Sequence, residues 1–440
     1  MNKILVLGAG LVAGPLVDYL LEQPAFSLTI ADLVLEKARK LVGDHPRAVA
    51  RSLDLSEESL LKAQIDNADL VISMVPYTYH PLVARLCLAA KTNLVTASYV
   101  SEKMKSLDSA ARNAGILFLN ELGLDPGIDH MEAMRIIDEV KQEGGDVTSF
   151  TSFCGGLPAP EANDNPMGYK FSWSPAGVLL AGKNSAKYLE NGKEVSISPK
   201  DLFDSTRKID IEGLGVFEGY PNRNSLPYID LYGIPKVETM LRGTLRYEGW
   251  CPTLKKFVDL GLLDQEVKKW KGITYRDFIR GLMEDVRLPG TKEALAAHWK
   301  IDTDSDILKR MEWLDLLSEK SIEMEKGSAL DVLAERMEAK MQFGPGERDM
   351  IVMQHVFHSK ESSGRKNRIT STLIDFGVPF GYSAMARTVG LPAAIGARLI
   401  LEGKINLTGV HIPVIKEIYS PILEELKTLG IRFDFKKENL

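Results

Sequence analysis

The stretch ILVLGAGLVAGPLVDYL, residues 4–20, decides the fold of the first part of the chain. A short apolar run leads into Gly8-x-Gly10-x-x-Ala13, and a helix-like segment follows at once. This strand–turn–helix order is typical of a dinucleotide-binding unit, in which Gly8 makes the tight turn and Gly10 lets the backbone approach a pyrophosphate. Ala13 allows close packing of helix and strand, and the N–H groups at the helix start face the phosphates. The stretch therefore predicts a dinucleotide site.

An acidic residue, Asp32, ends the second predicted strand at the distance from Gly10 that such a site requires. Its carboxylate is suited to hydrogen-bond the adenosine ribose, and it repels the 2′-phosphate of NADP, so the sequence favours NAD, with NADP as the alternative. Lys37 and Arg39 follow closely, but we expect them on a solvated helix face. The competing interpretation, a glycine turn that merely closes an α/β unit, does not account for a strand, a helix and an acid in register.

Short strands and helical segments alternate over residues 1–127. The predicted strands are Lys3–Leu7, Ser27–Ala31, Ala48–Ser52, Leu70–Met74, Asn93–Thr96 and Leu117–Asn120. The predicted helices include Leu33–Val42, Glu57–Asp66, Pro81–Lys91 and Glu102–Ala114. This pattern is typical of βαβ units, so we predict an α/β, Rossmann-type dinucleotide-binding domain with a parallel sheet. The turns after its strands should line one crevice: Asp54-Leu55, Val75-Pro76-Tyr77, Ala97-Ser98-Tyr99 and residues 120–127.

The pattern changes after residue 127, and a mixed α/β domain is predicted over 128–252 and 343–381. Residues 253–342 have helical periodicity and are predicted to be an α-helical insertion into it. A small-residue helix after Tyr382 is expected to pack on the first domain and complete it with residues 382–440. The predicted elements of the mixed domain are a helix at Ile128–Glu143, a strand at Val147–Phe153, an ordered loop at Gly155–Ser174, and strands at Asp349–Phe357 and Asn367–Asp375.

Composition narrows the class of protein. The net charge of −6 argues against a nucleic-acid binder, which would usually have a basic face. The cysteines Cys87, Cys154 and Cys251 are far apart, which fits a reducing compartment and excludes a disulfide framework. We expect no membrane span, which would need an apolar run of roughly 18 residues, and no signal peptide, because the apolar run at Ile4–Leu7 is short and is followed by Gly-Ala-Gly. We expect a soluble, cytoplasmic protein with a small-molecule partner and neither a nucleic-acid nor a membrane partner.

Seven strings carry a family resemblance. They are VISMVPYTYHPLV (71–83), VTASYVS (95–101), NELGLDPGIDH (120–130), FCGGLPAPEANDNPMGYKFSWSPAGVLLA (153–181), YPNRNS (220–225), RGTLRYEG (242–249) and YSAMARTVGLPAAI (382–395). Together they resemble the saccharopine reductases, the glutamate-forming saccharopine dehydrogenases of lysine metabolism, from residue 3 to about residue 430. The resemblance implies a Rossmann-type domain, a mixed α/β substrate and dimerisation domain, a helical insertion and a homodimer.

The family reaction joins 2-aminoadipate 6-semialdehyde and glutamate through an imine, which a nicotinamide cofactor reduces to saccharopine. The product has three carboxylates and a cationic amine, so a site for it needs arginine for the acids and a carboxylate or dipole for the amine. One departure concerns the cofactor. Fungal members that use NADP resemble VACRT after the second strand, whereas this chain has IADLV at residues 30–34, in agreement with the argument from Asp32.

The resemblance also implies individual contacts. Those to the substrate fall on Ser98, Tyr99, Asp125, Arg223, Thr244, Leu245 and Arg246. Those to the cofactor, together with the glycine turn and the crevice turns, fall on Gly8, Gly10, Leu11, Val12, Ala13, Asp32, Leu33, Asp54, Leu55, Val75, Pro76, Ala97, Ser98, Leu124, Asp125, Trp173 and Ser174. The candidate catalytic residues are Asp125, Cys154 and Tyr99.

Each candidate also has a structural interpretation. Asp125 precedes Pro126-Gly127 and a helix, so it is either an N-cap or a carboxylate that pairs with the substrate amine or passes protons. Cys154 is either a small buried hydrophobe or a proton-transfer group. Tyr99 either orients a carboxylate or donates to the water that attacks the imine.

The cationic residues leave similar alternatives. Lys170 either holds a carboxylate or is solvated. Arg223 and Arg246 are either surface charges or ligands of an anionic substrate. His355 and His358 lie three apart in a strand-like run, which places them on opposite faces, so no metal site is expected.

Two rival functions remain at this point. A dehydrogenase of the same superfamily that acts on lysine or a carboxylated polyamine would need fewer carboxylate-binding groups, so a pocket without Arg223 and Arg246 would favour it. A regulator that binds NAD(H) without turnover would not account for the polar substrate turns.

Overall fold

The computed structural model describes residues 1–283, 288 and 290–440. The chain folds into two compact units. Unit 1 comprises Met1–Gly145 and Gly381–Asp434, and unit 2 comprises Asp146–Phe380 and Phe435–Leu440.

The N-terminal part of unit 1 alternates strands and helices. Its strands are β1 (Asn2–Leu7), β2 (Phe26–Asp32), β3 (Ala48–Ser52), β4 (Leu70–Ser73), β5 (Asn93–Thr96) and β6 (Leu117–Leu119). Its helices are α1 (Gly14–Glu22), α2 (Leu35–Val42), α3 (Glu58–Ile65), α4 (His80–Ala90), α5 (Glu102–Lys105), α6 (Asp108–Ala114) and α7 (Ile128–Gln142). The six predicted strands are all present, and the predicted single helix Glu102–Ala114 is wrong, because the chain turns at Ser106-Leu107 between α5 and α6.

Unit 2 begins with a long strand. Its strands are β7 (Asp146–Pro158), β8 (Ala186–Glu190), β9 (Lys193–Ile197), β10 (Arg207–Ile211), β11 (Gly215–Pro221), β12 (Thr239–Arg246), β13 (Lys268–Lys269), β14 (Lys326–Gly327), β15 (Asp349–Lys360) and β16 (Lys366–Phe376). Its helices are α8 (Pro175–Ala181), α9 (Pro227–Leu231), α10 (Trp250–Asp259), α11 (Tyr275–Leu282), α12 (Thr291–Trp299), α13 (Asp306–Trp313) and α14 (Ala329–Lys340). The elements that follow are α15 (Ala384–Leu401), β17 (Gly409–His411), α16 (Lys416–Thr428) and β18 (Phe433–Asn439).

The sheet of unit 1 is parallel throughout and has the order β17-β6-β5-β4-β1-β2-β3. From β6 to β3 this is the doubly wound strand order. Strands β1 to β3 are added toward one edge of the sheet and strands β4 to β6 toward the other, so the switch point lies between β1 and β4. Ligands of such sheets bind outside the carboxyl ends of the strands at this switch point. The prediction of a Rossmann-type domain is confirmed.

Gly381–Asp434 of the C-terminal segment belongs to unit 1. The predicted segment, residues 382–440, is too long, because Phe435–Leu440 belongs to unit 2, where β18 joins the sheet beside β16. Helix α15 packs against α1 and α16, and β17 extends the sheet beside β6. The expectation that no apolar run approaches the length of a membrane span is wrong, because α15 is 18 residues long with a mean hydropathy of 1.3. Most of this helix, 72%, is buried inside the protein, and the core helix of a globular protein satisfies the same criterion.

Helix α7 belongs to unit 1, although the sequence analysis placed residue 128 at the start of the second domain. It packs against α16, and the Tyr419 hydroxyl of α16 donates a hydrogen bond to Asp138 of α7. The chain leaves unit 1 only after Gly144-Gly145.

The sheet of unit 2 is mixed and has the order β10-β11-β12-β7-β15-β16-β18, with β8 and β9 attached to β12. Strands β12 and β7 are parallel, and the other pairs along this order between β10 and β16 are antiparallel. Helices α10 to α14 share one apolar core with this sheet. Residues 284–287 and 289 of the predicted helical insertion, 253–342, lie outside the described residues.

The predicted loop Gly155–Ser174 begins later than expected, because β7 continues to Pro158. Gly155 and Gly156 pair with Val352 and Ile351 of β15. A Cβ at Gly155 would lie 2.7 Å from the Leu245 carbonyl oxygen of β12. The glycine therefore marks a close approach of neighbouring backbones inside the sheet, which is one of the few reasons for glycine within a strand.

Candidate active site

The glycine turn of unit 1 is shaped for a dinucleotide. Gly8 has φ +96°, and a Cβ there would lie 2.9 Å from the Met74 carbonyl oxygen, so the turn requires glycine. A Cβ at Gly10 would meet no protein atom within 4 Å. Packing within the protein therefore does not require a glycine at residue 10, whereas close approach of a pyrophosphate would. Ala13 is fully buried between α1 and the sheet.

Asp32 is held against this turn. Its Oδ2 accepts a hydrogen bond from the Ala9 N–H at 2.8 Å, and its Oδ1 accepts one from the Val34 N–H at 2.8 Å. Each carboxylate oxygen keeps acceptor capacity for the ribose hydroxyls. Arg39 forms an ion pair with Glu36 at 2.6 Å on the exposed face of α2, as expected for a solvated residue.

Other predicted cofactor contacts surround the same crevice. Leu11 and Leu33 are 75% and 67% exposed, so they present apolar surface to the solvent close to Asp32 in the chain fold. Asp54 and Leu55 precede α3. The Asp54 carboxylate accepts a hydrogen bond from the Ser56 N–H, which lowers the pKa of this carboxyl. Val75 and Pro76 follow β4 on the other side of the switch point, Ala97 and Ser98 follow β5, and Leu124 follows β6.

A buried histidine that no sequence pattern indicates, His80, lies beneath these turns. His80 begins α4 and is 3% exposed. Its Nδ1 lies 3.0 Å from Ser73 Oγ, and its Nε2 lies 2.8 Å from Ser98 Oγ and 3.2 Å from Thr96 Oγ1. Burial lowers the pKa of His80 to about 4, so the ring is neutral at pH 7. The histidine was visible in VISMVPYTYHPLV, but only the fold brings the three hydroxyls to it.

Tyr99 and Asp125 are brought together by two neighbouring strand ends. The Tyr99 hydroxyl donates a hydrogen bond to Asp125 Oδ1 at 3.1 Å. The interpretation of Asp125 as the N-cap of the following helix is wrong. The N-cap of α7 is Gly127, and the Gly127 N–H donates to Asp129 Oδ1 instead. Asp125 is thus a half-buried carboxylate paired with a phenol, at the carboxyl edge of the sheet.

Unit 2 contains a buried cation, Arg246, at the end of β12. Arg246 is 4% exposed, and its guanidinium lies 4.9 Å from the Tyr169 ring centroid and 5.6 Å from that of Trp250. Its Nη1 donates to the Leu245 carbonyl at 2.7 Å, whereas its Nε has no hydrogen-bond partner. Within the described residues no carboxylate lies within ion-pair distance of it. Glu218, opposite it on β11, accepts hydrogen bonds from the Gly249 and Cys251 N–H groups instead.

The other predicted residues of β7 and β12 lie around this arginine. Cys154 is 7% exposed and pairs with Thr244 of β12 on one side and Met353 of β15 on the other. Leu245 is fully buried, and its carbonyl oxygen is already bonded to Arg246. The Leu245 side chain would have to leave the apolar core of unit 2 before it could contact a substrate.

Arg223 differs from Arg246 because it is exposed. It lies in the turn after β11 with φ +58°, a conformation uncommon for residues other than glycine. The Lys187 N–H donates to its carbonyl oxygen at 2.9 Å, and the Ser225 N–H donates to the Lys187 carbonyl at 2.7 Å. Local strain of this kind often occurs at ligand sites.

Lys170 is not solvated, so that interpretation is wrong. It is 5% exposed and forms ion pairs with Glu347 at 2.7 Å and Asp164 at 2.9 Å. Ser174 caps α8, since its Oγ accepts a hydrogen bond from the Gly177 N–H, and Trp173 packs beside the core of unit 2.

The histidine pair has the arrangement expected of a strand. His355 is fully buried, whereas His358 is exposed on the opposite face of β15. Across the described ranges, no group of three or more His, Cys, Asp and Glu side chains is arranged to hold a metal ion.

The parallel sheet, the glycine turn at its switch point and Asp32 are together typical of a dinucleotide-binding protein of the Rossmann type. Family profiles match the chain at two places: the saccharopine dehydrogenase NADP binding domain over residues 4–119 and the saccharopine dehydrogenase C-terminal domain over residues 123–431. The chain therefore belongs to the saccharopine dehydrogenase family.

Individual relatives agree with this assignment. The chain is 40% identical to saccharopine dehydrogenase (NADP(+), L-glutamate-forming) of Schizosaccharomyces pombe over 99% of this chain and 98% of that one. It is 42% identical to the Saccharomyces cerevisiae enzyme of the same name over 97% of each chain. It is also 41% identical to the mitochondrial alpha-aminoadipic semialdehyde synthase of Bos taurus, over 98% of this chain but only 47% of the synthase.

A solved structure is similar along the whole chain. It is the apo histidine-tagged saccharopine dehydrogenase (L-Glu forming) from Saccharomyces cerevisiae, with a TM-score of 0.92, 41% identity and 100% coverage of both chains.

Proposed function

We propose that the chain interconverts saccharopine with L-glutamate and 2-aminoadipate 6-semialdehyde, using a nicotinamide dinucleotide. The observation that carries this proposal is the buried guanidinium of Arg246, which has no acidic partner among the described residues. A buried charge without a counter-charge is costly, and a substrate carboxylate would supply the missing partner in a bidentate geometry. Saccharopine has three carboxylates, and Arg223 supplies a second cation in the same unit.

In the oxidative direction the C–H bond beside the secondary amine breaks, and a nicotinamide dinucleotide held at the glycine turn and Asp32 would take up the hydride. The amine nitrogen loses a proton and an imine forms. Water then adds to the imine carbon, the C–N bond breaks, and glutamate and the semialdehyde leave. One hydride and one proton leave the substrate, and one water is consumed.

The Tyr99–Asp125 pair is our candidate for the proton transfers. The Asp125 carboxylate accepts a proton from the amine, and the Tyr99 hydroxyl, bonded to Asp125 Oδ1, orients this carboxylate and the attacking water. Cys154 is the alternative proton carrier.

The rival dehydrogenase for lysine or a carboxylated polyamine is disfavoured, because the chain has both of the arginines whose absence would support it. The NAD(H)-binding regulator is disfavoured for the same reason, since a sensor of the dinucleotide alone has no need of a buried arginine in the other unit.

The test is a steady-state assay of saccharopine oxidation, followed at 340 nm with NAD and NADP side by side and with lysine as the comparison substrate. Turnover of saccharopine well above that of lysine supports the proposal. Turnover with neither cofactor, in a preparation that binds the dinucleotide, would contradict it.

We further propose that NAD(H) is preferred over NADP(H), although the fungal relatives are named for NADP(+). Support comes from the Asp32 carboxylate beside the glycine turn and from Arg39, which is engaged by Glu36. We expect kcat/KM to be higher with NAD, and Asp32→Asn to shift the ratio about fivefold toward NADP, since removing one charge near a phosphate is worth about 1 kcal/mol. A higher kcat/KM with NADP in the wild type would refute the preference.

The homodimer and the cytoplasmic location remain predictions from the sequence.

A further inference from the structure

Glu121 is a buried carboxylate for which the sequence analysis gave no role. It follows Asn120 at the end of β6, is 6% exposed and has φ +57°. A glutamate is unfavourable in this left-handed conformation, and such a residue is retained only where its surroundings hold it strongly.

Three contacts hold Glu121. Its N–H donates to the Ser98 carbonyl at 3.1 Å, and its Oε1 accepts a hydrogen bond from the Val100 N–H at 2.9 Å. Its Oε2 lies 2.8 Å from Nε2 of His130, a fully buried residue of α7. Ser98 and Val100 are the two neighbours of Tyr99, so Glu121 holds the backbone on both sides of this tyrosine.

The same residue also reaches the other half of the Tyr99–Asp125 pair. Asp125 lies between Glu121 and α7, and the Glu121–His130 contact joins the two ends of that loop. The Tyr99 hydroxyl and Asp125 Oδ1 therefore belong to two loops that Glu121 connects directly.

We infer that Glu121 is a positioning residue, which holds the Tyr99 hydroxyl and the Asp125 carboxylate at the separation that proton transfer requires. The inference rests on the proposed function, in which this pair moves the protons. Glycine would suit the backbone at residue 121 better, so the use of glutamate is explained by its carboxylate contacts and not by the turn.

Two variants separate these roles. Glu121→Gln keeps the shape, and its amide oxygen still accepts from the Val100 N–H. Glu121→Gly relieves the backbone but removes both carboxylate contacts. Glu132→Gln is the matched control, because Glu132 is another buried carboxylate of this region, paired with Arg135 on α7 at 2.6 Å.

We expect Glu121→Gly to lower kcat for saccharopine oxidation roughly 30- to 100-fold, since small misplacements of reacting groups cost about that much. The KM for saccharopine and the dissociation constant for NADH, from fluorescence titration, should change less than about threefold, because the glycine turn and Arg246 are untouched. Glu121→Gln and Glu132→Gln should keep kcat within about threefold of the wild type.

Wild-type kcat in Glu121→Gly would overturn the inference. So would losses of kcat, NADH binding and melting temperature that run in parallel in Glu121→Gly and Glu132→Gln, because they would indicate a purely structural role. Crystal structures of the Glu121 variants give the Tyr99–Asp125 distance without turnover, and it should lengthen only in Glu121→Gly. Absence of saccharopine turnover in the wild type would instead contradict the proposed function, and the crystallographic distance would still decide the positioning role.

Discussion

The role of a charged side chain in this protein depends on whether the charge is buried and on which groups contact it there. Lys170 and Arg246 are both almost fully buried cations. Lys170 meets Glu347 and Asp164, so its charge is compensated within the protein. Arg246 meets aromatic rings and a carbonyl, so no carboxylate among the described residues compensates its charge, and we expect a ligand to do so.

This contrast gives a prediction for Arg246→Leu. We expect the KM for saccharopine to rise at least about 30-fold, because losing one partner of a buried charge pair costs 2–5 kcal/mol. The free energy of unfolding without substrate should stay equal or rise, since an uncompensated buried charge has been replaced by an apolar side chain. Urea denaturation and steady-state kinetics measure both.

Lys170→Leu is the control for this prediction. It leaves the Glu347 and Asp164 carboxylates without their partner, so it should lower the free energy of unfolding, by about 1 kcal/mol because both carboxylates keep contact with water. A clear loss of stability in Arg246→Leu, with unchanged KM, would assign Arg246 to structure.

His80 predicts a dependence of stability on pH. Burial lowers its pKa from an ordinary value near 6.5 to about 4. Between these two values the unfolded chain binds a proton that the folded one does not, so this contribution to stability is complete above pH 6.5 and is lost as the pH falls toward 4. We expect His80 to account for about 2 kcal/mol of the loss between pH 7 and pH 5.

The measurement is urea unfolding of the wild type and of His80→Gln at both pH values. The variant should lose about 2 kcal/mol less than the wild type over this interval. His298→Gln, which changes an exposed histidine, should behave like the wild type. Equal pH dependence in all three proteins would rule out this role for His80.

At the scale of elements, the β1–α1 turn separates two uses of glycine. Gly8 is needed by the backbone, with φ +96° and the Met74 carbonyl close by, whereas Gly10 has open space around its Cα. One position serves the fold and the other serves the ligand.

We therefore expect Gly10→Ala to unfold within about 0.5 kcal/mol of the wild type, as is usual for a surface substitution. Its dissociation constant for NADH should rise about tenfold or more, because the Cβ occupies the path of the pyrophosphate. Gly8→Ala should lower both stability and NADH affinity. Calorimetry and fluorescence titration are the measurements, and unchanged NADH affinity in Gly10→Ala would argue against a phosphate at this turn.

At the scale of the whole molecule, the candidate cofactor-binding residues and the candidate substrate-binding arginines lie in different units. Unit 1 contains the glycine turn, Asp32 and the Tyr99–Asp125 pair, whereas unit 2 contains Arg223 and Arg246. Dinucleotide affinity and substrate affinity should therefore respond to different sets of substitutions.

The assembly is the prediction that belongs to this scale. The family resemblance implies a homodimer, so sedimentation should give a mass of twice 48.7 kDa at micromolar concentration. The matched reference is the same sample diluted to nanomolar concentration. A single species of 48.7 kDa at all concentrations would exclude the dimer.

The sequence by itself determined the Rossmann-type unit, because strand, glycine turn, helix and acid are local patterns with fixed spacing. The strands Ala48–Ser52 and Asn93–Thr96 were predicted to the residue for the same reason. It also singled out Asp125 and Arg246, through strings that resemble one family. Local patterns could not decide whether Gly155 ends a strand or lies within one, since this depends on the Leu245 carbonyl more than eighty residues away.

Only the tertiary structure decided which charges are compensated and which hydrogen bonds join distant turns. Lys170 meets Glu347, His80 meets Ser98, and Glu121 meets Val100 and His130, and none of these pairs follows a periodicity that a sequence displays. The physical reason is that burial and partnership depend on atoms from several elements at once. Residues 4–20 thus indicate a dinucleotide by a local pattern, whereas only the folded molecule shows which candidate residues lie together and which buried charges have partners.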